Sequence, residues 1–150
     1  MEVKNIKTTI VIASGGFDPI HSGHINYLNE AAKLGNYLIA AVNSDAWLTR
    51  KKGKFFLDWS ERSTIVENLK SVDAVISFED FDGTAKAAIL EVRRCNPNAK
   101  IIFANGGDRT KENIPEMDIK DDNLEFVFGV GGEHKQNSSS WILKSWDHKN

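Results

Sequence analysis

The chain has one cysteine, Cys95, in 150 residues. That excludes an intrachain disulfide and a zinc cluster built from cysteines, and a reducing compartment fits. No apolar run approaches the ~20 residues a membrane-spanning helix needs. The opening MEVKNIKTT lacks the apolar core of a signal peptide. There is no excess of positive charge either: the formal net charge is -2, which argues against nucleic acid as a bulk partner. Internal repeats and low-complexity tracts are also missing. These absences leave one expected domain over residues 1–150, long enough to bury a core, in a cytoplasmic setting without a membrane partner.

What is present alternates between two periods. Apolar runs of strand length fall at Lys7 to Ala13, Tyr37 to Val42, Ala74 to Phe78, Lys100 to Ala104 and Leu124 to Phe128. Helical patterns lie between them. One runs from Ser22 to Leu34, with Gly35 placed to end it. A short one is capped by Ser44 or Asp45, and Arg50 to Lys54 then reads as a basic loop. Ser60 starts another, with Ile65, Val66 and Leu69 as its apolar face. Thr84 to Cys95 follows, stopped by Pro97. Ser138 to Trp146 closes the chain. The polar stretch Thr110 to Asn123 reads as a loop, and Gly129 to Gly132 as a permissive turn. Strand–helix alternation predicts an α/β fold with a parallel sheet covered on both faces, and a ligand crevice at the carboxyl ends of its strands.

Gly15-Gly16-Phe17-Asp18-Pro19-Ile20-His21-Ser22-Gly23-His24 sits where the first strand hands over to the first helix. Glycines there let backbone approach a ligand closely. The free N–H groups of a helix start attract anions. His21 and His24, three residues apart, fall on one face and can address the same anion.

GGFDPIHSGH resembles the G-x-F-D-x-x-H-x-G-H signature of the nucleotidylyltransferase superfamily, and especially its cytidylyltransferase branch. That branch includes glycerol-3-phosphate cytidylyltransferase and the nucleotidyltransferase domain of bacterial heptose-phosphate enzymes. The likeness extends through Val42-Asn43-Ser44-Asp45, Lys51-Lys52-Gly53, Arg62 to Ile76, Gly106-Gly107-Asp108 and Ser138-Ser139-Ser140, roughly residues 8 to 146. It implies a Rossmann-like (HUP-type) three-layer sandwich on five parallel strands. It also implies transfer of a nucleotidyl group, CMP from CTP, to a small phosphorylated acceptor with release of pyrophosphate. ATP on the same fold is the alternative, and a non-catalytic nucleotide binder the second.

The resemblance assigns catalysis to His21, His24 and Lys52, and nucleotide binding to Gly15, Gly16, Phe17, Asp18, Gly107, Asp108, Ser138, Ser139 and Ser140. Arg109, Lys51 and Lys135 are the cations for the acceptor. Magnesium is the expected cofactor, with no protein ligand named, and a homodimer is expected. Blander readings stand beside these. Lys51, Lys52 and Lys54 suit a solvated loop, Asp108 an Asx turn, and the serines a helix cap. The tryptophans suit packing, with Trp141 the exception because it follows the serines. The chain also departs from the pattern. Ala13 replaces a threonine found in many relatives, and Lys135 stands near where glycerol-phosphate enzymes carry an arginine.

Overall fold

The computed structural model describes residues 8–107, 109–110, 114–132 and 138–149. Five strands, β1 (Thr9–Gly15), β2 (Tyr37–Val42), β3 (Ala74–Ile76), β4 (Lys100–Gly106) and β5 (Leu124–Val130), form one parallel sheet in the order β3-β2-β1-β4-β5. The helices are α1 (Ser22–Ala32), α2 (Asp45–Lys52), α3 (Trp59–Glu67), α4 (Lys86–Cys95) and α5 (Ser139–Lys149). The architecture is the α/β parallel sheet that the alternating pattern predicts, in the Rossmann-like form that the resemblance implies.

Side chains alternate across each strand, so each strand feeds two cores. Val11, Ala13, Leu38, Ala40, Val42, Ile102 and Ala104 face Leu28 and Ala31 of α1 and Val66 of α3. Ile10, Ile12, Ile39, Ala41, Ile101 and Phe103 face Ala88, Ile89 and Val92 of α4. Three layers result. Each fully buried aliphatic side chain contributes about 1.5–3 kcal/mol.

β1 lies between β2 and β4. After β1 the chain moves through α1 to one side; after β3 it crosses through α4 to the other. The crevice is therefore at the carboxyl ends of β1 and β4, as expected for such sheets. α1 is fastened across it. The Tyr27 hydroxyl donates to the Ala104 carbonyl at 2.7 Å, and Asn26 Nδ2 donates to the Gly131 carbonyl at 2.7 Å.

Several boundaries differ from the sequence expectation. Arg50, Lys51 and Lys52 are the last turn of α2, not a loop. Basic side chains suit the negative end of a helix, and Gly53 (φ +91°) stops it. α3 is capped by Asp58, whose carboxylate accepts from the Glu61 N–H, so it starts before Ser60 and ends before Leu69. Gly35 does not end α1; a Cβ there would meet the Thr9 carbonyl oxygen at 2.6 Å. β3 is shorter than expected, pairing only with β2. β5 runs on through Gly129 to Val130, and the stretch before it holds a short 3-10 helix, Pro115–Asp118.

Candidate functional site

The first half of the crevice is the β1–α1 turn. Phe17, at φ 52°, takes a left-handed conformation and is buried. Its ring lies against His24 edge-on, with centroids 5.2 Å apart. His21 is the N-cap of α1, and its Nδ1 accepts from the Gly23 N–H at 3.0 Å. His24 Nδ1 accepts from the His21 N–H at 3.2 Å. This is a capping box made by two imidazoles. The bonds fix the tautomers: with Nδ1 accepting, each neutral ring carries its proton on Nε2. The ring centroids are 3.9 Å apart. Burial, then the electrostatic neighbours His21 and Lys52, lower the His24 pKa from 6.5 to about 3. At neutral pH His24 is an uncharged Nε2–H donor.

Asp18 serves the same half from beneath. Its two carboxylate oxygens accept from the Phe56 and Leu57 N–H groups at 2.6 and 2.7 Å. It thereby pins the segment between α2 and α3. Lys52 Nζ lies 3.5 Å from the Asp18 carbonyl oxygen. Gly16 leaves room for Leu48; a Cβ would meet Leu48 Cδ2 at 2.8 Å. Arg62 is fully buried and donates to the carbonyls of Leu57, Gly16 and Asn43 and to the Asp45 carboxylate at 2.6 Å. Buried charge survives only when paired this completely. The Ser139 hydroxyl donates to the Pro19 carbonyl at 2.8 Å, and Ser138 Oγ accepts from the Trp141 N–H. The start of α5 therefore sits against the histidine turn.

The second half is a cavity of about 440 Å³ lined by Ser14, Gly15, Asn43, Trp47, Lys51 and Thr84, together with Gly16, Gly83, Ala85, Arg109 and Glu116. Lys51 and Lys52 are adjacent on α2, about 100° apart around the helix. One reaches this cavity and the other the histidines. Lys51 Nζ lies 4.5 Å from the Trp47 ring centroid. Burial, then Lys52 and Arg109, lower its pKa. Glu116 is buried and takes Arg109 at 3.0 Å. Asp80, also buried, accepts from Asn43 Nδ2, the Ser44 N–H and the Ser44 hydroxyl. It thus fixes the β2–α2 turn that carries Asn43 to the cavity.

The structure brings Phe17, Asp18, His21, His24, Lys52, Ser138 and Ser139 to one half of the crevice and Lys51 and Arg109 to the other, with Gly15 and Gly16 at the start of the histidine turn also lining the cavity. Gly107 follows β4 at φ 62°, and Ser140 is exposed in the first turn of α5. Asp108 and Lys135 lie outside the described residues. Sequence reasoning missed Ser14, Asn43, Trp47, Thr84, Asp80 and Glu116. Ser14 supplies a hydroxyl one residue after Ala13, which stands at the position of the threonine in many relatives. Trp47, suited by the sequence to packing, lines the cavity. Nothing in the pattern around Asp80 or Glu116 marked them.

Among the described residues no group of three or more His, Cys, Asp or Glu side chains is arranged to hold a metal ion. The carboxylates of Asp18, Asp80 and Glu116 are taken up by protein donors. No helix among the described residues is long and apolar enough to cross a membrane.

A profile of the cytidylyltransferase-like family matches residues 12–132. The chain is 36% identical over 83% of its length to the bifunctional protein HldE of Hahella chejuensis, covering 23% of that protein. It is 40% identical over 75% of its length to HldE of Haemophilus ducreyi, covering 22% of it. The chain thus spans less than a quarter of these two relatives. A lipopolysaccharide core biosynthesis protein of Thermoplasma volcanium superposes with a TM-score of 0.62 at 29% identity, over 81% of this chain and 95% of that one. With its paired histidines at the head of α1 and this match across most of its length, the chain belongs to the cytidylyltransferase-like family of nucleotidylyltransferases.

Proposed function

We propose that the protein transfers a nucleotidyl group from a nucleoside triphosphate to a phosphorylated sugar, releasing pyrophosphate. The observation that carries this is the imidazole pair. Both Nδ1 atoms accept in the helix cap, which sets the two rings side by side at the head of α1, and the uncharged His24 ring carries its proton on Nε2 as a preorganised donor. ATP is the donor we favour, on the likeness to the HldE proteins. The family's own description keeps CTP as the second reading. A sugar acceptor is supported by the likeness to the lipopolysaccharide core protein. It is also supported by a cavity lined by Trp47 together with hydroxyl, amide and carboxylate side chains.

A magnesium ion arriving with the triphosphate would offset its charge, and the carboxylates of Asp18, Asp80 and Glu116, already bonded to protein donors, would leave it to the phosphates and water. An oxygen of the acceptor's phosphate attacks the α-phosphorus. The bond from that phosphorus to the oxygen bridging the β-phosphate breaks, and pyrophosphate carries away the electron pair. No protein nucleophile takes part. His21 and His24 donate to the oxygens that gain charge, Lys52 neutralises the triphosphate, and the start of α5 receives its distal phosphates. Lys51 and Arg109 receive the acceptor's phosphate. Alignment across the two halves then supplies much of the rate.

Pyrophosphate release, measured with ATP and CTP in parallel against hexose and heptose 1-phosphates and glycerol 3-phosphate, tests this reading. Release with ATP and a sugar phosphate is the expected result. Release with CTP alone moves the protein to the second reading. Nucleotide binding without release for any acceptor rejects the transferase reading.

A further inference from the structure

We propose that Glu116 is a positioning residue, holding Arg109 over the cavity as the cation that receives a phosphate group there. The proposal rests on the cavity being the acceptor's subsite. Glu116 is 2% exposed, yet it lines the cavity. Its two oxygens have different partners. Oε1 accepts from the Arg109 guanidinium at 3.0 Å, and Oε2 accepts from the Ala85 N–H at 2.8 Å. Ala85 is the N-cap of α4 and makes no side-chain cap of its own. One carboxylate therefore ties the β4–β5 connection to the head of α4 and directs a guanidinium at the same time.

A buried carboxylate is costly unless both oxygens are bonded, and here both are. Among the described residues the Arg109 side chain bonds through one nitrogen, to Glu116, and it is 37% exposed. A guanidinium has five N–H donors, so bonding to Glu116 leaves donors for an anion. Lys51 lines the same cavity. With two cations and one carboxylate, the lining carries net positive charge, which a phosphate complements. Without Glu116, Arg109 would have to order a long side chain each time it bound, at a cost in rotamer entropy.

Glu116→Gln keeps an oxygen for the Ala85 N–H and removes the charge that holds Arg109. The probe is inorganic phosphate, followed through the Arg109 Nε–H resonance, which is assigned by its loss in Arg109→Lys. In the wild-type protein phosphate should shift this signal. In Glu116→Gln the dissociation constant should rise about tenfold or more, and Glu116→Asp, which keeps the charge, should recover part of that loss. The acceptor's KM should rise by a similar factor, with kcat and the triphosphate's KM nearly unchanged. With affinity then followed through Lys51 Nζ, adding Glu116→Gln to Arg109→Met should cost nothing more, since the pair acts as a unit.

Unchanged phosphate affinity in a folded Glu116→Gln protein overturns the proposal and leaves Glu116 as a cap for α4. No phosphate shift at Arg109 in the wild-type protein overturns it as well. The two readings fail separately. Active transfer with an unaltered acceptor KM in Glu116→Gln removes the role of Glu116 alone. Phosphate held at Arg109 in a Glu116-dependent way, with no pyrophosphate release for any acceptor, removes the transferase reading and sustains Glu116.

Discussion

The two halves of the crevice are built by opposite means. The histidine half comes mostly from ten consecutive residues, Gly15 to His24, whose ring nitrogens and backbone N–H groups bond to one another. The cavity half is gathered from the end of β1, the β2–α2 turn continuing into α2, the head of α4 and the β4–β5 connection. A site folded locally is set once its helix starts. A site gathered from four segments depends on every contact that docks them, among them Glu116 to Ala85 and Asp80 to Ser44. A local motif can therefore carry shared chemistry while distant segments vary the acceptor.

Arg62 joins the halves, because its guanidinium donates both to the Gly16 carbonyl of the histidine turn and to the Asn43 carbonyl beside the cavity. Arg62→Ala should give the largest loss, about 3–5 kcal/mol of stability, by leaving Asp45 and three carbonyls unpaired. Denaturant unfolding measures it. A loss below about 1 kcal/mol would mean the halves do not depend on this link.

His24→Ala removes one preorganised donor and should lower kcat by about 10²–10³, roughly 3–4 kcal/mol. Phosphate affinity at Arg109 should stay at the wild-type value. Turnover within a few-fold of wild type would take His24 out of the chemistry.

The adjacent lysines sharpen the comparison further. Lys51→Ala should raise the acceptor's KM about tenfold and spare the triphosphate. Lys52→Ala should do the reverse. Matching effects from both variants would dissolve the division of labour.

A smaller, graded effect concerns pH. His24 is depressed from 6.5 to about 3, so the unfolded chain binds this proton more readily than the folded one. Its neutral form contributes stability fully above pH 6.5, and that contribution falls away as pH drops toward 3. The difference in melting temperature between wild type and His24→Gln should therefore be constant above pH 6.5, and wild type should lose stability relative to the variant as pH falls from 6.5 toward 3. The mildest change is Ser138→Ala, which removes the cap on the Trp141 N–H and should cost about 1 kcal/mol, read in the same melts.

The sequence by itself settled the parallel α/β arrangement, because short apolar runs separated by helical periods admit few other packings. It also settled the histidine turn, because cap, glycines and both imidazoles are neighbours in the chain and their bonds are local. The division of Lys51 from Lys52 came from the family resemblance and not from the residue pattern. Adjacent residues on a helix point about 100° apart, and which direction meets the histidines depends on how α2 docks. Nor could the residue pattern mark Glu116 or Asp80, since Glu116 is turned inward by Ala85, 31 residues away, and Asp80 by Asn43 and Ser44, 37 and 36 residues away. Carboxylates are common on polar surfaces, and only tertiary packing turned these two inward, where an unpaired charge is costly and every bond they make fixes a wall of the cavity.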